Sequence, residues 1–150
     1  MMQITVIHEG LTYVASTPEQ LETAGVPAPV TLEAVKRHLK AAIDAQAEVQ
    51  RLRWITPGSG QAMTYARKVE EAKAVQSAAE PDPADYPLLA ASIGIDGDDV
   101  EAVAVTVLAM DAAWAQIGVA IEAARLGAKK AVDNSVDVET ALAIGAEWPQ

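Results

Sequence analysis

The sequence predicts a mainly α-helical protein in which a helical hairpin and a long helix form a bundle, preceded by a short N-terminal β-hairpin. Helical spacing of apolar residues in the middle and C-terminal parts of the chain predicts the helices, and alternation near the N-terminus predicts the strands. Of all residues 51% are apolar, including 31 alanines but no phenylalanine. Because small side chains bury little area each, we expect a homo-oligomer to supply further buried surface.

The N-terminal segment alternates apolar and polar residues over positions 3–16 around a turn at His8-Glu9-Gly10, which predicts a β-hairpin. A short helix is predicted directly after it. Thr17 and Gln20 have the spacing of a capping box, in which each side chain bonds the backbone N–H of the other residue, and Gly25 ends the helix.

A proline-rich segment follows, with the sequence Val26-Pro27-Ala28-Pro29-Val30. Two prolines in five residues favour an extended, semi-rigid spacer. We therefore place a domain boundary here. Residues 1–30 form the hairpin, the short helix and the linker, and residues 31–150 form the helical body.

Two helices are predicted at the start of that body. The first begins at Thr31 as its N-cap and runs to about Trp54, and the second runs from Gln61 to about Ala79. The segment Thr56-Pro57-Gly58-Ser59-Gly60 separates them, because proline and glycine interrupt a helix. We expect the two helices to pack together as a helical hairpin.

A long helix is predicted in the C-terminal half, beginning at Val100 with Asp98 and Glu101 as its capping box. Its apolar stripe consists of Val100, Val103, Val107, Met110, Trp114, Ile117, Ile121, Ala124, Ala128 and Ala131. The 3.5-residue repeat of this stripe predicts packing against other helices. We expect fraying over residues 127–132.

Shorter helical segments are predicted on either side of the long helix, at residues 86–92 and 137–143. The loop at Asp96-Gly97-Asp98-Asp99 begins like a calcium-binding loop, but it lacks the carboxylate that such a loop needs at its last ligand position. It is therefore interpreted as a helix cap.

The charge distribution argues against nucleic-acid binding. The net charge is -10, eight of the eleven Lys and Arg residues lie in positions 36–73, and positions 74–124 hold nine acids and no base. A nucleic-acid site needs a dense basic patch with aromatic residues, whereas here acidic residues interrupt the basic stretch. The basic stretch at positions 36–73 and the acidic stretch at positions 74–124 are expected to meet each other within the fold or to stay solvated.

Composition limits the chemistry, and the segment pattern bears on the compartment. Cysteine is absent, which excludes disulfides and thiolate metal sites. The N-terminus has no signal-peptide pattern, and the apolar run from Ala102 to Met110 is shorter than the roughly 20 residues of a membrane span. We therefore expect a soluble, unsecreted chain without a membrane partner.

No catalytic, cofactor-binding or metal site is predicted. Ser59 between two glycines follows a helix rather than a buried strand, so it does not match a nucleophile elbow. His8 and His38 lie on either side of the proline-rich segment and make a poor zinc site. The acids Glu70, Glu71 and Asp111 are interpreted as solvated carboxylates on helices.

The interaction candidates are aromatic residues: Trp54, Tyr65, Trp114 and Trp148. Trp114 lies on the apolar stripe and is expected in the core, and Tyr65 lies on the inward face of its helix. Trp54 and Trp148 lie at the ends of elements, where a contact between subunits is the alternative to a core position.

A resemblance to a known family lies in the segment Arg53-Trp54-Ile55-Thr56-Pro57-Gly58-Ser59-Gly60-Gln61-Ala62-Met63-Thr64-Tyr65 and continues through Ala66-Arg67-Lys68 and Glu70-Glu71-Ala72. This segment resembles one found in small tail proteins of bacteriophages and prophages, of the tail-fibre or tail-fibre assembly type. The remainder is similar in layout, from the N-terminal hairpin to the closing Glu147-Trp148-Pro149. The resemblance implies a virion-associated or assembly role and brings no catalytic residues.

The expected function is therefore that of a non-enzymatic tail component that binds other phage tail proteins and itself, in the virion tail or in the host cytoplasm during assembly. Two alternatives stay open: a fibre-assembly chaperone that is absent from the mature virion, and a small acidic inhibitor of a host protein. A tail-borne hydrolase would need paired carboxylates in a cleft, which the sequence does not suggest.

Overall fold

The computed structural model describes residues 2–150 and confirms a mainly α protein that begins with a β-hairpin. Strands β1 (Ile4–His8) and β2 (Leu11–Ser16) pair antiparallel. Glu9 and Gly10 join them with φ of +49° and +77°, the left-handed backbone that a two-residue hairpin turn requires. Ala15 also has a positive φ, near a shift in the strand register.

Helix α1 (Pro18–Thr23) is capped as predicted. The Thr17 hydroxyl accepts a hydrogen bond from the Gln20 N–H, and the Gln20 side chain accepts one from the Thr17 N–H. Gly25 follows the helix with φ of +81°, so the predicted stop is confirmed.

Helix α2 (Ala28–Arg51) contradicts the predicted extended spacer, because its first turn lies inside the proline-rich segment. Pro29 is tolerated there since the first N–H groups of a helix have no partner within the helix. The Pro27 carbonyl accepts from Val30 and Thr31. Thr31 is therefore a helical residue and not the N-cap, and the helix ends at Arg51, before the predicted Trp54.

The remaining helices are α3 (Ser59–Ser77), α4 (Pro87–Ala90), α5 (Val100–Asn134) and α6 (Val138–Leu142), with a 3-10 turn at Pro83–Asp85. All four occur where helices were predicted.

Two details of α5 are corrected. Asp99, and not Asp98, caps the helix, since its carboxylate accepts from the Ala102 N–H at 2.8 Å. The stretch over residues 127–132 is helical rather than frayed, and α5 continues to Asn134. Asp137 caps α6 by accepting from the Thr140 N–H.

The chain forms two compact units, one of residues 51–119 and one of residues up to 50 together with 120–150. This division does not coincide with the predicted boundary at residue 30. The reason is that the hairpin and α1 share one core with α2 and α6. That core consists of Ile4, Val6, Leu21, Val26, Ala34, Val35 and Ala141.

In the same unit, α2 packs against the C-terminal part of α5. Ile43 of α2 is buried with Ala128 and Val132 of α5. Beside this cluster, the Asp44 carboxylate accepts from Arg125 and Lys129, both at 2.7 Å.

In the second unit, α3 packs against the N-terminal part of α5. The shared core consists of Val69, Ala72, Val75, Leu89, Val100, Val103, Ala104 and Val107. The predicted stripe of α5 is therefore buried at its start, but Met110 is 54% exposed. Near the end of α5, Val132 is buried and Ala131 is exposed, because a 3.5-residue repeat drifts relative to the 3.6-residue turn of a straight helix.

The apolar stretch of α5 is longer than the run ending at Met110, because Asp111 is the one charged residue between positions 102 and 121. By length and composition alone, α5 meets the requirements of a membrane span, and it is the one helix among residues 2–150 that does so. Core helices of soluble proteins, which are mostly buried, meet them too, and in α5 17% of the apolar window is buried.

Candidate functional site

The candidate site is an open groove of about 660 Å³ within the unit of residues 51–119, here called the aromatic groove. It is lined by Trp54, Ile55, Thr56, Gln61, Ala62, Tyr65, Ala66, Val69, Glu70, Lys73, Met110, Asp111 and Trp114. Three elements supply this lining: the loop after α2, one face of α3, and the middle of α5.

The groove continues the core of this unit toward solvent. Along α3 the side chains change from fully buried Ala72 to half-buried Tyr65, and along α5 from buried Val107 to half-buried Trp114. The two helices thus share a closed core at one end and expose apolar walls at the other. Trp54, which is 50% exposed, belongs to the loop that contributes the third wall.

Polar contacts connect α3 to α4 and to the segment between α4 and α5 within this unit. The Glu71 carboxylate accepts from the N–H groups of Leu88 and Leu89 at 3.0 and 3.1 Å, which caps α4. The Lys68 ammonium donates to Ser92 and Asp96. Glu71 is therefore not the solvated carboxylate that the sequence suggested.

The charges of the groove are Glu70 and Lys73 on α3 and Asp111 on α5. Glu70 and Lys73 are exposed, whereas Asp111 is half-buried. Burial, with the negative charge of Asp111 as a second cause, raises the pKa of Tyr65 above its ordinary value. The Tyr65 hydroxyl is therefore a neutral hydrogen-bond donor at physiological pH.

Three of the four aromatic candidates, Trp54, Tyr65 and Trp114, line this one groove. Trp114 lies on its wall rather than in the closed core that we expected. The fourth candidate, Trp148, lies in the other unit, where it packs on the cluster around Ile43 and donates to the Gln46 side chain at 3.4 Å.

Sequence reasoning missed the apolar and acidic neighbours of these aromatic residues, namely Ile55, Met110 and Asp111. For the α5 pair a signal existed, because residues 110, 111 and 114 fall on one helical face. For Ile55 the loop after α2 has no periodicity, and the one signal was its position inside the segment that resembles phage tail proteins. Together the lining suits noncovalent binding of apolar groups with one charged contact.

A second concavity, of about 570 Å³, lies in the unit that contains the hairpin. Its acidic lining residues are Glu19, Glu22, Asp137 and Glu139. Thr31 also lines it, and the Thr31 hydroxyl is buried without a hydrogen-bond partner among residues 2–150. Among residues 2–150, no group of three or more His, Asp or Glu side chains is placed to hold a metal ion.

Comparisons with protein-family models, with curated proteins and with solved structures give no match.

Proposed function

We propose that this chain is a non-enzymatic bacteriophage tail-associated protein that acts by binding other tail proteins. The aromatic groove is the binding surface. The tail or tail fibre is its location in the virion, and the host cytoplasm is its location during assembly.

One observation carries this proposal: the segment that resembles phage tail proteins supplies most of the groove. Residues 54–56 and seven side chains of α3 line it, and nearly all of them belong to the resembling stretch of residues 53–72. Exposed and half-buried tryptophans in a concave surface are typical of the anchoring residues of protein interfaces.

A homo-oligomer is the second part of the proposal. Val105 and Val119 of α5 are 61% and 71% exposed. They are fourteen positions apart, so they lie on the same helical face, with Ala109 and Ala112 between them. Small side chains on such a face allow close packing of a second helix.

The test is quantitative mass spectrometry of purified phage particles, with chemical crosslinking to identify neighbours of the chain. We expect the chain in stoichiometric amount, with crosslinks from α3 to another tail protein. Its presence in infected cells together with its absence from particles would instead favour the assembly chaperone. Crosslinks to a host protein alone would favour the inhibitor.

A further inference from the structure

Asp111 is the starting point, because it is a half-buried carboxylate in an otherwise uncharged stretch of α5. Within residues 2–150 it makes no ion pair and no hydrogen bond, whereas other half-buried charges, such as Arg125 and Lys68, have partners. A carboxylate that is partly shielded from water forms a stronger charge-assisted hydrogen bond with a cationic partner than an exposed carboxylate does.

The walls around Asp111 suit a flat cation. The groove presents the rings of Trp54, Tyr65 and Trp114 together with this carboxylate. An arginine guanidinium stacks on aromatic faces and pairs with a carboxylate through two parallel hydrogen bonds. The exposed pair Glu70 and Lys73 carries opposite charges, so Asp111 determines the sign of the groove.

We propose that the aromatic groove binds an apolar segment of another protein through one arginine side chain, which stacks on the tryptophans and pairs with Asp111. This inference rests on the proposed function and names the chemistry of its partner. The apolar residues of the segment contact Ile55 and Met110.

The occupant is another protein rather than a second copy, because a second copy would bring the same net charge of -10 to a groove whose own charge is negative. Within the described residues, seven of the eleven Lys and Arg side chains already have partners: Lys36, Lys40, Arg51, Arg53, Lys68, Arg125 and Lys129. Of the other four, Arg67 and Lys73 lie on α3, the helix that forms the groove, whereas Arg37 lies on α2 and Lys130 on α5. The net charge of -10 also favours a basic partner.

The test uses the full chain with Trp148→Phe, so that fluorescence and the indole N–H signals in NMR report on Trp54 and Trp114 alone. The probes are the peptide acetyl-Leu-Ala-Arg-Ala-Leu-amide and the same peptide with citrulline, a neutral isostere of arginine. We expect the arginine peptide to shift both indole signals and to bind about tenfold more tightly than the citrulline peptide.

Asp111→Asn removes the charge and keeps the shape of the side chain, and it should lower the affinity for the arginine peptide about tenfold while leaving the citrulline peptide unaffected. The matched control is Asp85→Asn, an equal change of net charge at an exposed residue outside the groove, which should leave both affinities unchanged. Far-UV circular dichroism verifies that each variant is folded.

Equal affinity for the two peptides, an equal effect of Asp111→Asn and Asp85→Asn, or no binding of the arginine peptide at millimolar concentration would overturn the inference. Acetyl-arginine-amide that binds as tightly as the peptide would overturn it as well, because the occupant would then be a small cation. If one of these results is obtained and the chain is nevertheless crosslinked in phage particles, the proposed function is retained and only the arginine contact is rejected.

Discussion

Among single residues, Thr31 is the one whose side chain most clearly destabilises the folded state. Its hydroxyl is buried in the first turn of α2 without a partner among the described residues. Replacing it with the isosteric valine removes the desolvated group, so Thr31→Val should raise the free energy of unfolding by about 1 kcal/mol. Urea denaturation measures this change. A loss of stability would show instead that the hydroxyl is hydrogen-bonded, for example by water in the adjoining acidic concavity.

Gly97 gives the second prediction, because a Cβ atom there would lie 2.6 Å from the Val103 backbone nitrogen and 2.7 Å from the Ala102 carbonyl carbon. Backbone atoms cannot move aside as a flexible side chain does. Gly97→Ala should therefore lower the free energy of unfolding by about 1–3 kcal/mol.

The matched control is Gly60→Ala, which lies in α3 with open space around the added atom. It should raise the stability by up to about 1 kcal/mol, since alanine favours a helix more than glycine does. Thermal unfolding of both variants measures the two effects. Similar shifts of the melting temperature in both would contradict the close approach at Gly97.

At the scale of elements, the ion pairs between α2 and α5 make stability depend on pH. Hydrogen bonds from Lys129 and, second, from Arg125 lower the pKa of Asp44 below its ordinary value, and a hydrogen bond from Lys40 lowers that of Asp133. A carboxylate with a lowered pKa in the folded state stabilises the protein at neutral pH. That stabilisation is lost as the pH falls through and below the ordinary pKa of an aspartate, which is about 4 in model peptides.

Asp44→Asn should therefore lower the stability at neutral pH and reduce the loss of stability on acidification. The difference between the variant and the original chain should shrink between about pH 5 and pH 3. Urea unfolding across this range measures it, with Asp98→Asn at an exposed position as the control. A difference that stays constant down to the lowest pH would refute the contribution of this pair.

Element types followed from the sequence, and element ends did not. Periodicity predicts α5 because burial of one face requires it, and the capping box predicts α1 because Thr17 and Gln20 are local partners. The start of α2 was missed since Pro29 fits both an extended spacer and a first helical turn, and local sequence does not distinguish them. Likewise, either Asp98 or Asp99 satisfies the composition of a cap.

At the scale of the whole molecule, the proposed homo-oligomer requires the exposed face of α5. Replacing both Val105 and Val119 with glutamate places charges on that face, so light scattering should show a lower mass for this double variant than for the original chain. Val14→Glu, on the hairpin and 70% exposed, is the control and should leave the mass unchanged. A monomeric mass for the original chain would refute the oligomer.

The candidate site was predicted in its residue types and not in its shape. Aromatic residues are few in this chain, so Trp54, Tyr65 and Trp114 attract attention in the sequence. Their convergence depends on how a loop without periodicity packs beside α3 and α5, which is a tertiary property. Asp111 was interpreted as solvated because helical spacing does not show what faces a carboxylate.

The tryptophans are intrinsic fluorophores, and both units of this protein contain at least one of them. Trp54 and Trp114 share the aromatic groove, whereas Trp148 contacts Gln46 in the other unit. Versions that keep a single indole would therefore report separately on ligand entry and on melting of each half. No dye is needed, and the absence of native thiols leaves cysteine free for attachment of a spin probe or an energy-transfer acceptor.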